Sequence, residues 1–420
     1  MKYFQKLLLY IFLTLLLCSS VSDAVRGQWD SFRGPDGLGI DMNADAPTQW
    51  EDSDYRWKIT LSGTGHSSPV AWGNTIFVSS SDDSKDRGYL MAIDEQTGAI
   101  TWQKEFQVTD LVMHIDNNLA SPSPAVDESH VYIIWYSREK TSLYALNHDG
   151  ALQWKAAFDG IEARHGGGSS LVLTDKYVVF TREQEMGSSL KSSWVAVDKF
   201  TGKVAWELPR ESSVANSFST PILVIFEDGK PQLIFTSQAH GFTGVVPETG
   251  EVLWERKLLS KDRVVASPVY ANGMIIGCRK GEAVVIEVDP ETGLAASSAT
   301  YSLPPNLSPY VPTPIVVDDL LYMFMDNGTV ACLQLDTGKV LWKERPAGPI
   351  YGSPICVAGN LYCITKTGRV VVLGASSTYN LLGIQDLGEE SFATPVLCHS
   401  GMVFRTYTHL MLLGSNHVKN

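Results

Sequence analysis

The chain has 420 residues, 44% of them apolar, and a formal net charge of −13. That length can bury a large core and by itself suggests two or three domains. The acidity repels phosphate backbones, and no basic patch interleaved with aromatics offsets it, so nucleic acid is excluded as a partner. The N-terminus reads as a leader. Lys2 and Lys6 precede an apolar run over 7–17, and Ser22-Asp23-Ala24 supplies small residues for cleavage, so residues 1–24 are expected to be a signal peptide. The run is too short for a membrane span, and the mature chain has no transmembrane segment. Lipidation at Cys18 is the lesser reading, because the bulky Leu17 stands where a small residue is needed. The expected location is exported, periplasmic or secreted.

Residues 25–49 follow as an N-terminal extension. Within it Asp41-Met42-Asn43-Ala44-Asp45 resembles half of a calcium loop, but Ala46 replaces the required Gly and Asp52 the closing Glu, so a solvated acidic linker is expected. The segment 50–61 (WEDSDYRWKITL) reads as a strand carrying Trp57 with no Gly turn before it. Two phrases then alternate. One is Ser or Thr followed by Pro and an apolar run, at Ser68, Ser123, Thr220, Ser267, Thr313, Ser353 and Thr394, with a copy lacking the Pro at Ser169-Ser170. The other is a Gly turn with Trp four residues on, at Gly98/Trp102, Gly150/Trp154, Gly202/Trp206, Gly250/Trp254 and Gly338/Trp342. A degenerate copy puts Ser297 where the Trp should stand. Phrases recurring roughly 40–55 residues apart signal a repeat architecture.

The second phrase makes sense as strand, turn, strand. Asp, Asn and Thr bond their own backbone in turns, and Gly supplies the positive φ of a tight hairpin. A Trp four residues after the Gly can then lie in the seam between one small sheet and the next. A lone four-stranded sheet cannot bury both faces, whereas radial stacking does. Eight openings are present, but the last has only about 25 residues after it, enough for roughly two more strands. The strand at 50–61 supplies the missing outer strand. The expected fold is all-β: an eight-bladed β-propeller of four-stranded antiparallel blades, closed by an N-terminal strand. It forms a single domain over 50–414, with a tail at 415–420.

With these repeats the chain resembles the PQQ-like β-propellers, which include the eight-bladed quinoprotein dehydrogenases and the non-enzymatic assembly factor BamB. The resemblance covers about residues 50–414 and rests on the tandem tryptophan-docking motif. An exported, uncharacterised subgroup opens on a W-x-x-F-R-G-P-D-G phrase, here Trp29 to Gly37, and carries an H-G-x-G-S-S phrase, here His165 to Ser170, with a His (His114) before the second opening. The resemblance implies the propeller and no particular reaction.

Chemistry is hard to find. A quinoprotein dehydrogenase needs pyrroloquinoline quinone (PQQ), a Ca²⁺ held by carboxylate and amide oxygens and a general base, and the family's enzymes add an adjacent Cys pair. Here Cys278, Cys332, Cys356, Cys363 and Cys398 are separated, with no C-x-x-C. They read as small buried hydrophobes, with a Cys356–Cys363 disulfide as the alternative. His165 and its glycines look like an esterase oxyanion segment, but no G-x-S-x-G exists. No metal site and no catalytic residue is expected. The residues ahead of the inner strands should gather at one mouth of the channel: His66, His114, Asn118, His165, Asn216, Arg263, Tyr310, Tyr351 and Glu390. They are candidate binding residues, against a reading in which they only bond loops and channel water. The seam tryptophans Trp57, Trp102, Trp154, Trp206, Trp254 and Trp342 are expected to be structural. Polar insertions at 79–88 and 183–193 mark a second candidate surface. Two functions remain: an exported, monomeric, non-catalytic scaffold for a protein or small polar ligand, with no cofactor, or a dehydrogenase using PQQ and calcium.

Overall fold

The computed structural model describes residues 28–109, 114, 116–259 and 262–414. The leader, Cys18 and the tail at 415–420 lie outside the described residues. Seven four-stranded blades follow one another along the chain, over 70–107, 125–159, 172–210, 222–256, 269–303, 315–344 and 355–386. The eighth combines Val396–Cys398, Gly401–Arg405 and His409–Gly414 with Tyr55–Thr60 as its outer strand. Trp57 lies opposite Leu412 in that ladder, so the ring closes through the N-terminal strand as expected. The strand is shorter than the sequence suggested, because a 3₁₀ turn over Asp52–Asp54 precedes it. Second and third strands are buried on both faces, as in Val131–Tyr136, while outer strands such as Val204–Arg210 are buried mainly at alternate positions. Core clusters therefore sit between blades, with Tyr132 and Ile134 of blade 2 packing in one cluster with Val178 and Phe180 of blade 3. Among the described residues no helix is long and apolar enough to cross a membrane.

The seam tryptophans explain the turn glycines. The Trp57 indole N–H donates to Glu95 O at 2.8 Å, and a Cβ on Gly98 would lie 2.7 Å from the Trp57 ring. Gly98 also has φ +71°, so both space and backbone demand Gly. Trp102, Trp154, Trp206, Trp254 and Trp342 repeat the bond to His148 O, Lys199 O, Pro247 O, Gly293 O and Ser376 O. At the seam between blades 5 and 6 the docking residue is Tyr301, not the position of Ser297. An insertion delays the outer strand to Tyr301–Leu303, the Tyr301 hydroxyl donates to Leu335 O at 2.5 Å, and its ring covers Gly338.

Residues 29–50 do more than the extension read from sequence. Trp29 exchanges two backbone hydrogen bonds with Ala71 of blade 1, and Asp30 O accepts from Val126 N of blade 2 at 2.8 Å. Arg33 Nη2 donates to Pro314 O of blade 6 at 3.0 Å, and Ile40–Asp41 pairs in parallel with Ile355–Val357 as a fifth strand of blade 7. The segment crosses the channel and plugs it. Gly34 permits the turn, since φ is +78° and the Trp29 ring lies 3.2 Å from where a Cβ would be. The chain leaves along blades 7 and 8. The Tyr362 hydroxyl donates to Ala46 O at 3.0 Å, Gln49 Nε2 donates to Leu382 O at 2.7 Å, and Trp50 stacks on Phe404 at 5.4 Å. That run seals the seam between blades 7 and 8. The five cysteines are separate, buried and free, so Cys356 and Cys363 form no disulfide. Asp41 Oδ1 accepts from the backbone N–H of Asn43 and Ala44, which makes a turn of the calcium-loop-like stretch.

Candidate functional site: the channel funnel and its rim

Each inner strand opens on a Ser or Thr whose backbone N–H donates to the hydroxyl of the next blade's Ser or Thr. The chain of bonds runs from Ser68 to Ser123 (2.9 Å), Ser170 (3.0 Å), Thr220 (2.9 Å), Ser267 (3.2 Å), Thr313 (3.0 Å), Ser353 (3.0 Å) and Thr394 (3.0 Å). Thr394 N returns to Ser68 Oγ at 3.1 Å and closes the girdle. These strand ends are buried, and an unpaired buried N–H is costly. Ser or Thr at every opening is thereby explained.

Strand alternation puts the residue two before each girdle member on the channel side. Those residues are His66, Ser121, Gly168, Phe218, Val265, Val311, Tyr351 and Phe392, and together with the girdle they line a cavity of ≈ 170 Å³. Phe32 of the plug closes it, with Arg33 buried beside it. Burial pushes Arg33 down to about 9. His66 stacks on Phe392 at 4.2 Å, and burial, followed by the nearby Arg405 charge, pushes its pKa down to about 3. Arg405 is fully buried, donates to Ser67 O at 2.8 Å, and is itself pushed down to about 9 by burial. At the mouth Lys366 Nζ lies 4.0 Å from the Tyr351 ring centroid and 5.1 Å from that of Phe392, and bonds Asp116 at 3.1 Å. That ion pair links blade 7 to the connection between blades 1 and 2, across blades 8 and 1.

The remaining candidates lie higher on the rim or away from it. The His114 and His165 rings approach to 4.6 Å. Arg263 donates to Asn216 O at 3.1 Å and to Glu185 Oε1 at 3.2 Å, and lies over Phe218. Burial raises Tyr310, with a hydrogen bond to Arg263 opposing it, and burial followed by the Arg263 charge lowers His165. Asn216 Nδ2 ties this group to Gly166 O at 3.0 Å. Asn118 is buried: its Oδ1 accepts from Ala120 N at 2.8 Å and its Nδ2 reaches Asp83 at 3.2 Å, so it holds a loop and does not face the funnel. Glu390 is exposed, and among the described residues it supplies only its carbonyl, to Tyr407 N. The engaged carboxylate is Glu389: burial works to raise it, but hydrogen bonds from Thr406, Thr408 and His409 outweigh that and hold it at about 2. Phe32, Asp116, Phe218, Lys366 and Phe392 escaped sequence reasoning. Counting back two residues from each Ser/Thr would have found Phe218 and Phe392. Nothing local marks Lys366, which reaches the mouth from a loop between the second and third strands of its blade.

A family model described as outer membrane protein assembly factor BamB matches residues 47–113, 86–343 and 281–379. The chain belongs to the BamB family. BamB of Yersinia pestis is 24% identical over 359 residues, covering 83% of this chain and 74% of the relative. Among solved structures, BamB from Moraxella catarrhalis aligns with a TM-score of 0.61 and 13% identity over 85% of this chain and 98% of that one. The quinohemoprotein alcohol dehydrogenase from Comamonas testosteroni aligns with 0.67 and 14% over 94% and 82%. At such identities these likenesses establish the shared propeller fold alone.

Proposed function

We propose that the chain is an exported, monomeric, non-catalytic scaffold that binds a protein or small polar ligand at the rim of its funnel. The observation that carries this reading is the BamB match over 83% of the chain. The rim supports it: His114, His165, Arg263, Tyr310 and Tyr351 stand on a rigid ring, and loops on rigid scaffolds commonly carry recognition. Export rests on Lys2, Lys6, the apolar run over 7–17 and the small residues at 22–24.

The alternative is a PQQ-dependent dehydrogenase, and the residues present do not fit that group. Pockets for ligands of this size enclose about 300–1,000 Å³, whereas the funnel encloses ≈ 170 Å³ above Phe32. Asp116 is the one carboxylate among the lining residues, and Lys366 holds it. Calcium needs six to eight oxygens, several of them carboxylate. Among the described residues no group of three or more His, Cys, Asp or Glu could hold a metal.

The test is photo-crosslinking in the exported compartment, with the reactive side chain at Tyr351 on the rim or at Val340 on the circumference. The scaffold reading expects a discrete adduct from Tyr351, lost when His114 and His165 are both changed to Ala. No rim adduct, or one that survives that change, would remove the rim as the binding surface. Calorimetric titration with PQQ and Ca²⁺ is expected to give no 1:1 complex. Tight binding with substrate-dependent dye reduction would promote the dehydrogenase.

A further inference from the structure

The seam between blades 1 and 2 carries an open groove on the circumference, well away from the funnel. Its ≈ 460 Å³ is lined by Lys104, Lys140 and Lys155 over an apolar floor that includes Phe106, Tyr144 and Leu146. Phe106 and Leu146 are buried, and the Phe106 and Tyr144 rings lie 4.7 Å apart. Leu152 stands in the wall, 57% exposed. Lys155 lies over the Tyr144 ring at 4.8 Å. Among the described residues, none of the three ammonium groups forms an ion pair. The one acid in the groove lining, Glu105, is held by Arg87 at 3.0 Å, while Asp159 pairs with Lys140 across the ladder and Glu139 accepts from the Thr109 hydroxyl at 3.2 Å.

The neighbouring blades show what is missing. The residue after the seam Trp is Glu207 in blade 3, where it binds Arg182 at 3.0 Å, and Glu255 in blade 4, where it binds Arg210 across the seam from blade 3. In blade 2 that position is Lys155, a reversed charge. Arg210 stands four residues after its Trp, and the blade 1 equivalent is Phe106. Blade 3 and the seam between blades 3 and 4 neutralise their charge in this way, whereas blades 8 and 6 carry a lysine at the same position, Lys58 and Lys343. The first seam gathers three cations without an ion pair among the described residues, beside exposed apolar surface, on a chain of net charge −13. The outer strand of blade 1, Ile100–Gln107, leaves its free edge along the same seam, which suits an extended main chain.

We infer that the groove between blades 1 and 2 is a docking site for an extended acidic peptide segment of a partner protein, with its carboxylates on Lys104, Lys140 and Lys155 and an apolar side chain against Tyr144 and Leu152. Charge complementarity selects the occupant, and the concave apolar floor favours a peptide over a flat anionic membrane.

The experiment is fluorescence anisotropy on the full chain with a labelled peptide alternating Glu and Leu, against the same peptide with Gln for Glu. Binding is expected for the Glu peptide only, and should weaken with added salt. Lys104→Glu with Lys155→Glu should weaken it about tenfold, since each exposed ion pair contributes only severalfold. Lys339→Glu on an outer turn should leave it unchanged, and the milder Lys155→Gln should weaken it severalfold if the double variant folds poorly. Equal binding of the Gln peptide, or no effect of the groove substitutions, would overturn the inference. So would groove-dependent sedimentation with phosphatidylglycerol vesicles in the absence of peptide binding, which would assign the surface to a membrane.

Discussion

The Thr220 hydroxyl accepts from Ser170 N, while its backbone N–H donates to Ser267 Oγ, so one residue serves two seams, the side chain on one side and the main chain on the other. Thr220→Val keeps the shape and strands the Ser170 N–H; it should cost about 1–3 kcal/mol in denaturant unfolding, while Thr220→Ser should cost under ~1 kcal/mol. His66 makes a separate prediction. Its folded pKa of about 3 lies below the ordinary histidine value of 6.5, so the unfolded chain binds the extra proton and stability falls as pH drops through that window. Asp30, raised to about 6 chiefly by burial, acts in the opposite sense between pH 3.8 and about 6, because there the folded state holds the proton. Comparing the parent with His66→Phe, which keeps the stack on Phe392, isolates the histidine. The variant should lose about one proton's worth of slope in unfolding free energy between pH 6 and pH 4. An unchanged slope would put His66 in water.

Seam docking belongs to strands and turns acting together. Trp206→Ala and Trp254→Ala should each cost about 3–5 kcal/mol, as large-to-small core changes do. Trp102 is more exposed than either and should cost less. Tyr301→Phe should lose the bond to Leu335 O and cost about 1 kcal/mol, which would mark Tyr301 as the docking residue of its blade. Deleting residues 50–61 removes both the outer strand of blade 8 and Trp50 over Phe404, leaving an open sheet edge. Cooperative unfolding should then be lost; a truncation that melts like the full chain would refute closure through this strand. These elements were largely legible. The Gly–x₃–Trp spacing marked the hairpins, and the shortage of strands after Thr394 marked the closure. Tyr301 was not legible, because an insertion moved the docking residue out of register with its Gly.

Across the ring as a whole, repeat spacing and strand count were enough to imply eight blades and to bring the openings to one mouth. Spacing is a local property, and a closed ring follows from it because each blade can bury its faces only against its neighbours. The channel's contents were beyond that reasoning. The phrase from Trp29 to Gly37 reads in sequence only as part of an N-terminal extension, and only the closed ring offers it Ala71, Val126 and Pro314 as backbone partners. The same holds for Lys366 and Asp116, 250 positions apart, which meet because curvature carries blade 7 round to the connection between blades 1 and 2. The rim's division into paired groups, and the excess cation at the first seam, depend on which side chains the ring sets face to face. Such pairings are energies between distant parts of the chain. Periodicity along the sequence carries no record of them, whereas it does carry the hairpins, the seams and the number of blades.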